Sequence, residues 1–153
     1  MNLKENLFKQ CENFVNKRLQ NVEAVISSNQ KALQSETKSS AGDKHETGRA
    51  MLQLEMEKAG QQLSSIKQMK EILAKIDVSN SKTSTLKNAH LGSIVYTEKV
   101  NYFLAISCGQ LKVANQIFFA VSISSPIGKL LLGKKENDNF NFNGNTITIL
   151  KIV

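Results

Sequence analysis

Apolar residues recur at spacings of three and four along the start of the chain: Leu3, Leu7, Cys11, Phe14, Val15, Leu19, Val22, Val25, Ile26 and Leu33, with Lys, Glu, Asn and Gln between them. That period puts them on one face of an amphipathic helix running from Leu3 to about Leu33. The same period returns at Met51, Leu54, Leu63, Ile66, Met69, Leu73 and Ile76, and only the polar stretch from Ser35 to Asp43 separates the two runs. Both stripes are buried most simply if the helices fold back on each other as an antiparallel hairpin, a short coiled coil. At a rise of 1.5 Å per residue, arms of about 30 to 35 residues make a rod roughly 45 to 50 Å long. Its tip is the stretch "SSAGDKHETG", residues 39–48.

After Asp77 the polar run Val78-Ser79-Asn80-Ser81-Lys82-Thr83-Ser84 has neither periodicity and reads as a linker. Beyond it the pattern changes. "GSIVYTEKVNYFLAIS" and "NQIFFAVSI" are short and rich in Val, Ile, Tyr and Phe, as strands are. In "NFNFNGNTITILKI", Phe140 and Phe142 alternate with Asn, and Ile147 and Ile149 with Thr, around Asn143-Gly144. Both turn residues tolerate positive φ, so this is a hairpin with its four apolar side chains on one face. Between these strands, "SSPIGKLLLGKK" encodes one short helix: Ser125 to cap, Pro126 at the first helical position, Gly133 as the stop, and Leu130 and Leu131 to pack on the sheet. The pattern predicts an α+β protein with a helical hairpin over 1–77, a linker over 78–84 and a small sheet-and-helix domain over 85–153.

Composition adds a direction. The 153 residues are 41% hydrophobic with a single Pro, and the formal net charge is +7. Residues 1–77 hold twelve Lys and Arg against ten acids, and residues 78–153 eight against three, so the basic excess belongs to the second domain. Such a surface suits a polyanionic partner. Cys11 and Cys108, far apart in sequence and without a CxxC pair or a His/Cys cluster, suggest neither a disulfide framework nor a zinc site and read as reduced thiols. There is no signal-like apolar leader and no run near the roughly 20 apolar residues of a membrane span. A soluble cytoplasmic monomer is expected, with no membrane partner.

The candidate chemistry sits at the tip. Asp43 and Glu46 form an Asp-x-x-Glu pattern that serves as a capping box, both charges suiting the positive end of a helix dipole. A carboxylate pair fixed at a helix start is also exposed and oriented. Two carboxylates alone do not hold magnesium tightly, but they can complete a site that another macromolecule half builds.

"GDKHE" at the tip resembles the motif of the bacterial transcript cleavage factors GreA and GreB, where Gly-Asp is followed, after two intervening residues, by Glu at the end of an N-terminal coiled coil. "VSISSPIGKLLLGKKEND" followed by "GNTITILKI" is similar to the same family's Ser-Pro-Ile/Leu, small residue, Leu, Gly-Lys signature and final strand, so the likeness covers both domains in order. The resemblance implies an FKBP-like C-terminal domain docked at the secondary channel of RNA polymerase, with the coiled coil passing down it. Asp43 and Glu46 match the two catalytic acids. They would share a magnesium ion with the polymerase and orient the water that cleaves backtracked RNA. The chain would then be an accessory elongation factor rather than an enzyme. It would have no cofactor of its own in the free state, and its partners would be the polymerase and the nascent RNA and DNA of the elongation complex.

The resemblance has departures. Lys44 and His45 sit between the acids, and Thr47-Gly48-Arg49-Ala50 stands where the family commonly has an Asn-Ala-Glu-Tyr-like stretch. An alternative of the same architecture is a channel-binding regulator without cleavage activity. A DksA-type factor lacks support because its four-cysteine zinc module is missing, and a prolyl isomerase because the chain has no Trp for the pocket. In a generic coiled-coil scaffold the acids would only cap. His45 and His90 have no ligand partners in helical register, and Met51, Met56 and Met69 read as packing. Lys134 and Lys135 suit the negative end of the short helix and are candidate polymerase contacts.

Overall fold

The computed structural model describes residues 2–37, 42–79 and 88–153; for residues 36, 37 and 42–46 it describes the backbone alone. Two long helices open the chain, α1 (Leu3–Thr37) and α2 (Gly42–Ala74). A reciprocal cap starts the first: Asn2 Oδ1 accepts from the Glu5 amide at 2.7 Å, and Glu5 Oε2 accepts from the Asn2 amide at 3.1 Å. Two amides that a helix start leaves unpaired are satisfied by this pair of side chains.

The chain forms two compact units, Val15–Lys70 and a second made of Met1–Phe14 with Glu71–Val153. The boundary therefore runs through both long helices. The linker expected over 78–84 falls largely on residues 80–87, outside the described residues.

In the helical unit, Arg18, Asn21 and Val22 of α1 and Gln62, Ser65 and Ile66 of α2 line one groove. These positions lie at comparable separations either side of the link, so the helices run antiparallel, as expected. The buried or half-buried seam steps by four and three through Val15, Leu19, Val22, Ile26, Asn29 and Leu33 on α1, and through Leu52, Met56, Ala59, Leu63 and Ile66 on α2. Alternating steps of that kind keep a side chain facing the partner helix at each turn. The stripe read from the sequence is corrected at three places: Met51 is 62% exposed, Leu54 66% and Val25 46%. Leu54 lies two residues beyond Leu52, about 200° around a helix that turns 100° per residue, so the two cannot share a seam.

The second unit contains a six-stranded mixed sheet. Its elements are β1 (Ile94–Thr97), β2 (Asn101–Ala105), β3 (Gly109–Val113), β4 (Gln116–Ser122), α3 (Pro126–Leu131), β5 (Asn139–Phe142) and β6 (Asn145–Ile152), with strand order β3-β4-β2-β1-β6-β5. All neighbours are antiparallel except β2 and β4. The first strand-rich segment therefore folds as two strands. The buried Thr97 hydroxyl fixes their turn, donating to the Val100 carbonyl at 2.6 Å and accepting from the amides of Lys99 and Val100. The Asn143-Gly144 turn has φ of 52° and 79°, and the register Phe140↔Ile147 places the expected residues on one face.

Successive side chains of a strand point to opposite faces. On one face Val95, Tyr102, Leu104, Phe140, Ile147 and Ile149 bury against Leu131 of α3, with Leu130 packed beside it. The other face carries Ile94, Phe103, Ala105, Phe118 and Ala120, with Tyr96 edge-on to Phe118 at 6.0 Å. Here the ends of the long helices join the sheet: Gln10 Nε2 donates to the Lys112 carbonyl at 3.1 Å, and Ile76 packs where a Cβ on Gly92 would approach to 3.1 Å. Lys4 lies at this end too. Burial pulls its ammonium below the ordinary lysine range, and Asp77 partly offsets the shift.

Candidate functional site at the start of the second helix

Asp43 is the second residue of α2 and Glu46 the fifth. Residues three apart in a helix are surface neighbours, so the two positions lie on one side of the first turns. The amides of those turns and the aligned peptide dipoles present partial positive charge there, which favours two carboxylates. Beyond the backbone, the side chains of Asp43, Lys44, His45 and Glu46 lie outside the described residues, as does the whole of the link at 38–41. The helix continues through Thr47, Gly48, Arg49 and Ala50, with Arg49 and Ala50 exposed.

Asn29 follows on α1 at the seam. It is 8% exposed, and its Nδ2 finds no hydrogen-bond partner among the described residues. A polar amide at one core position of a helix pair costs stability and fixes register.

The remaining candidates take structural places. His90 closes a turn: its amide donates to Ser93 Oγ at 3.0 Å, and its Nδ1 lies 3.1 Å from that hydroxyl and 2.9 Å from the Asn88 carbonyl. Both its short contacts are protein oxygens, which leaves the ring engaged in the loop. Met56 and Met69 are half-buried on α2, consistent with packing, whereas Met51 is not. Among the described residues no group of three or more His, Cys, Asp or Glu is placed to hold a metal ion.

The motif at α3 gains a physical explanation. Ser125 is the N-cap, its hydroxyl accepting from the Gly128 amide at 3.1 Å and donating to the Ser122 carbonyl at 2.6 Å. Pro126 follows in the first turn. Gly128 is packed so closely on the end of β4 that a Cβ there would overlap the Ser122 carbonyl oxygen. After the helix, Gly133 takes φ +83°, and the main chain pairs with Ala89 through the Gly133 amide and the Lys134 carbonyl, each at 2.8 Å. Lys134 and Lys135 thus stand in a turn tied to the sheet unit, with Lys135 exposed.

One pairing escaped the sequence. Cys11 Sγ and Cys108 Sγ, 97 residues apart, lie 3.5 Å from each other as free thiols. No local spacing signals a contact of that separation. No helix among the described residues is long and apolar enough to cross a membrane. No protein-family model matches the chain, and no curated protein is significantly similar to it.

Proposed function

We propose that this chain is a transcription elongation factor that enters the secondary channel of a bacterial RNA polymerase and stimulates cleavage of backtracked RNA. One observation carries the reading: Asp43 and Glu46 are the second and fifth residues of α2, three apart in its first turns, at the end of an antiparallel helix pair. The likeness of "GDKHE" and of "SSPIGKLLLGKK" to the GreA and GreB motifs supplies the family.

The donor set suits magnesium as a half site. Carboxylates are the hard oxygen ligands this ion takes, and two of them leave most positions to water, substrate phosphates or groups of the polymerase. When bound, a second magnesium stabilises the charge that develops on the attacking and leaving oxygens of a phosphodiester. Asp43 and Glu46 would hold it from the factor's side and orient the attacking water. The sheet unit, which we read as an FKBP-like docking domain, contributes the contact with the polymerase surface. Among the described residues Lys129, Lys134 and Lys135 form no ion pair, which leaves their charge for a partner. The protein would act as a cytoplasmic monomer, an accessory to the polymerase's own catalytic centre.

The test is RNA shortening in halted, backtracked elongation complexes with wild-type protein and with D43N/E46Q. The double variant is expected to bind polymerase normally and to lose cleavage, because amide oxygens are poorer ligands for a hard cation and carry no charge. Cleavage at the wild-type rate would overturn the assignment of the acids. A wild-type chain that competes for the channel without shortening RNA would be a channel-binding regulator, the role that Thr47-Gly48-Arg49-Ala50 in place of an acid and an aromatic would favour.

A further inference from the structure

We propose that Cys11 and Cys108 are a reversible thiol–disulfide pair that, when oxidised, locks the third turn of α1 onto the connection between β2 and β3. The inference is independent of what the helix pair inserts into. It rests on the meeting of two thiols across the sheet unit, at 3.5 Å between sulfur atoms. A disulfide is about 2.05 Å long, so closure needs an approach of about 1.5 Å.

The surroundings hold the two in register. Gln10, one residue before Cys11, donates to the carbonyl of Lys112 on β3 at 3.1 Å. Cys108 stands just before β3, its amide bonded to the Ile106 carbonyl at 3.1 Å, and the next residue, Gly109, adopts φ +85°. That glycine has nothing within 4 Å of where a Cβ would sit, so the connection has room to adjust as the sulfurs approach.

The two thiols are unequal, which assigns their roles. Cys11 is fully buried and Cys108 half-buried, so a small oxidant reaches Cys108 first. The hydrogen bond between the two sulfurs holds the Cys108 thiol below the ordinary cysteine range, against the effect of its own burial. The same bond, with desolvation, pushes Cys11 up. The thiolate is the nucleophile of sulfur chemistry, and the partner with the higher pKa keeps its proton until the second step.

With a peroxide as oxidant the steps balance. Cys108 thiolate attacks one peroxide oxygen; the O–O bond breaks, a Cys108 sulfenic acid forms, and hydroxide leaves to take up the thiol's proton as water. The Cys11 sulfur then attacks the Cys108 sulfur. The S–S bond forms as the S–O bond breaks, and the departing hydroxyl takes the Cys11 proton as a second water. Two thiols have lost one electron each and the peroxide has gained two. A small dithiol reverses the bond by exchange. Packing alone is the competing reading, since a free cysteine behaves as a small hydrophobe in a core. It predicts no such closure.

The experiment takes the full chain through hydrogen peroxide, quenching, unfolding in denaturant and alkylation, with intact mass as the readout. Expected is a fall from two alkylated thiols to none, a loss of two hydrogens from a single chain, and a digest in which the Cys11 and Cys108 peptides are joined. Dithiothreitol should restore both thiols. In Cys108→Ser the buried Cys11 should remain alkylatable after the same treatment. Cys11→Ala should instead leave Cys108 as a sulfenic acid that dimedone traps. Two thiols still alkylatable in oxidised wild type, or disulfides found only between chains, would overturn the proposal.

Discussion

Replacing Gly128 with alanine puts the greatest strain on the packing of α3. The new Cβ would meet backbone on the end of β4: the Ser122 carbonyl carbon at 2.8 Å, the Ile123 Cα at 2.9 Å, and the Ser122 oxygen well inside contact. Carbon atoms rest about 3.5 to 4.0 Å apart. A backbone cannot rotate out of the way as a side chain can, so the helix must retreat by on the order of 1 Å. Leu131, fully buried on the same short helix, then leaves its place against Val95, Leu104 and Ile149. Burial of a leucine is worth about 1.5 to 3 kcal/mol, and forcing a group into a packed site costs about 1 to 3 kcal/mol. The cap from Ser125 to the Gly128 amide adds about 1 kcal/mol if it breaks. We expect a loss of about 3 to 5 kcal/mol, a value reached by few single substitutions. Gly133→Ala is the control: its φ of +83° is strained for alanine, but no atom lies within 4 Å of the added Cβ, so about 1 to 2 kcal/mol is expected. The chain has no Trp, and both tyrosines, Tyr96 and Tyr102, lie in the sheet unit. Tyrosine emission in a urea titration therefore follows that unit alone, and the shift in midpoint at constant slope gives the change. A Gly128→Ala protein within about 1 kcal/mol of wild type, or one no worse than Gly133→Ala, would refute the close-approach argument.

Two further outcomes test the helical unit. Asn29→Leu removes a buried donor without a described partner from the seam, so the helical unit should gain about 1 kcal/mol or more; a lower melting temperature followed by helical circular dichroism would contradict this. Met51→Gln combined with Leu54→Gln, both on the exposed side of α2, should change stability by less than about 0.5 kcal/mol, whereas Ile66→Ala, 3% exposed, should cost about 2 to 5 kcal/mol. Equal losses from the two would mean that the seam is drawn through the wrong residues.

What the sequence disclosed depended on how local the deciding physics was. The β5–β6 hairpin is legible because Asn143-Gly144 names its own turn. The β3–β4 hairpin has the same geometry, with φ of 48° and 68°, but reaches it through Ala114-Asn115. Alanine gives no such signal, and β3 itself buries only Leu111, so the strand passes unnoticed. Met51, Leu52, Leu54 and Met56 offer apolar side chains on more than one side of α2, and the choice among them belongs to Ile26, Asn29 and Leu33 on the other helix. Cys11 and Cys108 meet through the parallel pairing of β2 with β4 and the return of α1 to the sheet unit, both non-local events.

The candidate site depends on a different separation. Asp43 and Glu46 lie in the helical unit, and most of the basic excess lies in the sheet unit, each unit with its own buried set. Charges in the first turn of an exposed helix contribute about 0.3 to 1 kcal/mol each through the dipole, so neutralising both costs about as much as losing one ordinary cap. That is too little to unfold a helix pair held by Val15, Val22, Ala59 and Ile66. Leu131, Phe140 and Ile149, on which the sheet unit rests, belong to the other unit. Loss of RNA cleavage in D43N/E46Q, with polymerase binding and helical circular dichroism unchanged, therefore cannot be charged to misfolding; it would have to come from the two carboxylates themselves. If the acids only begin a helix, the same small stability change would appear with cleavage intact.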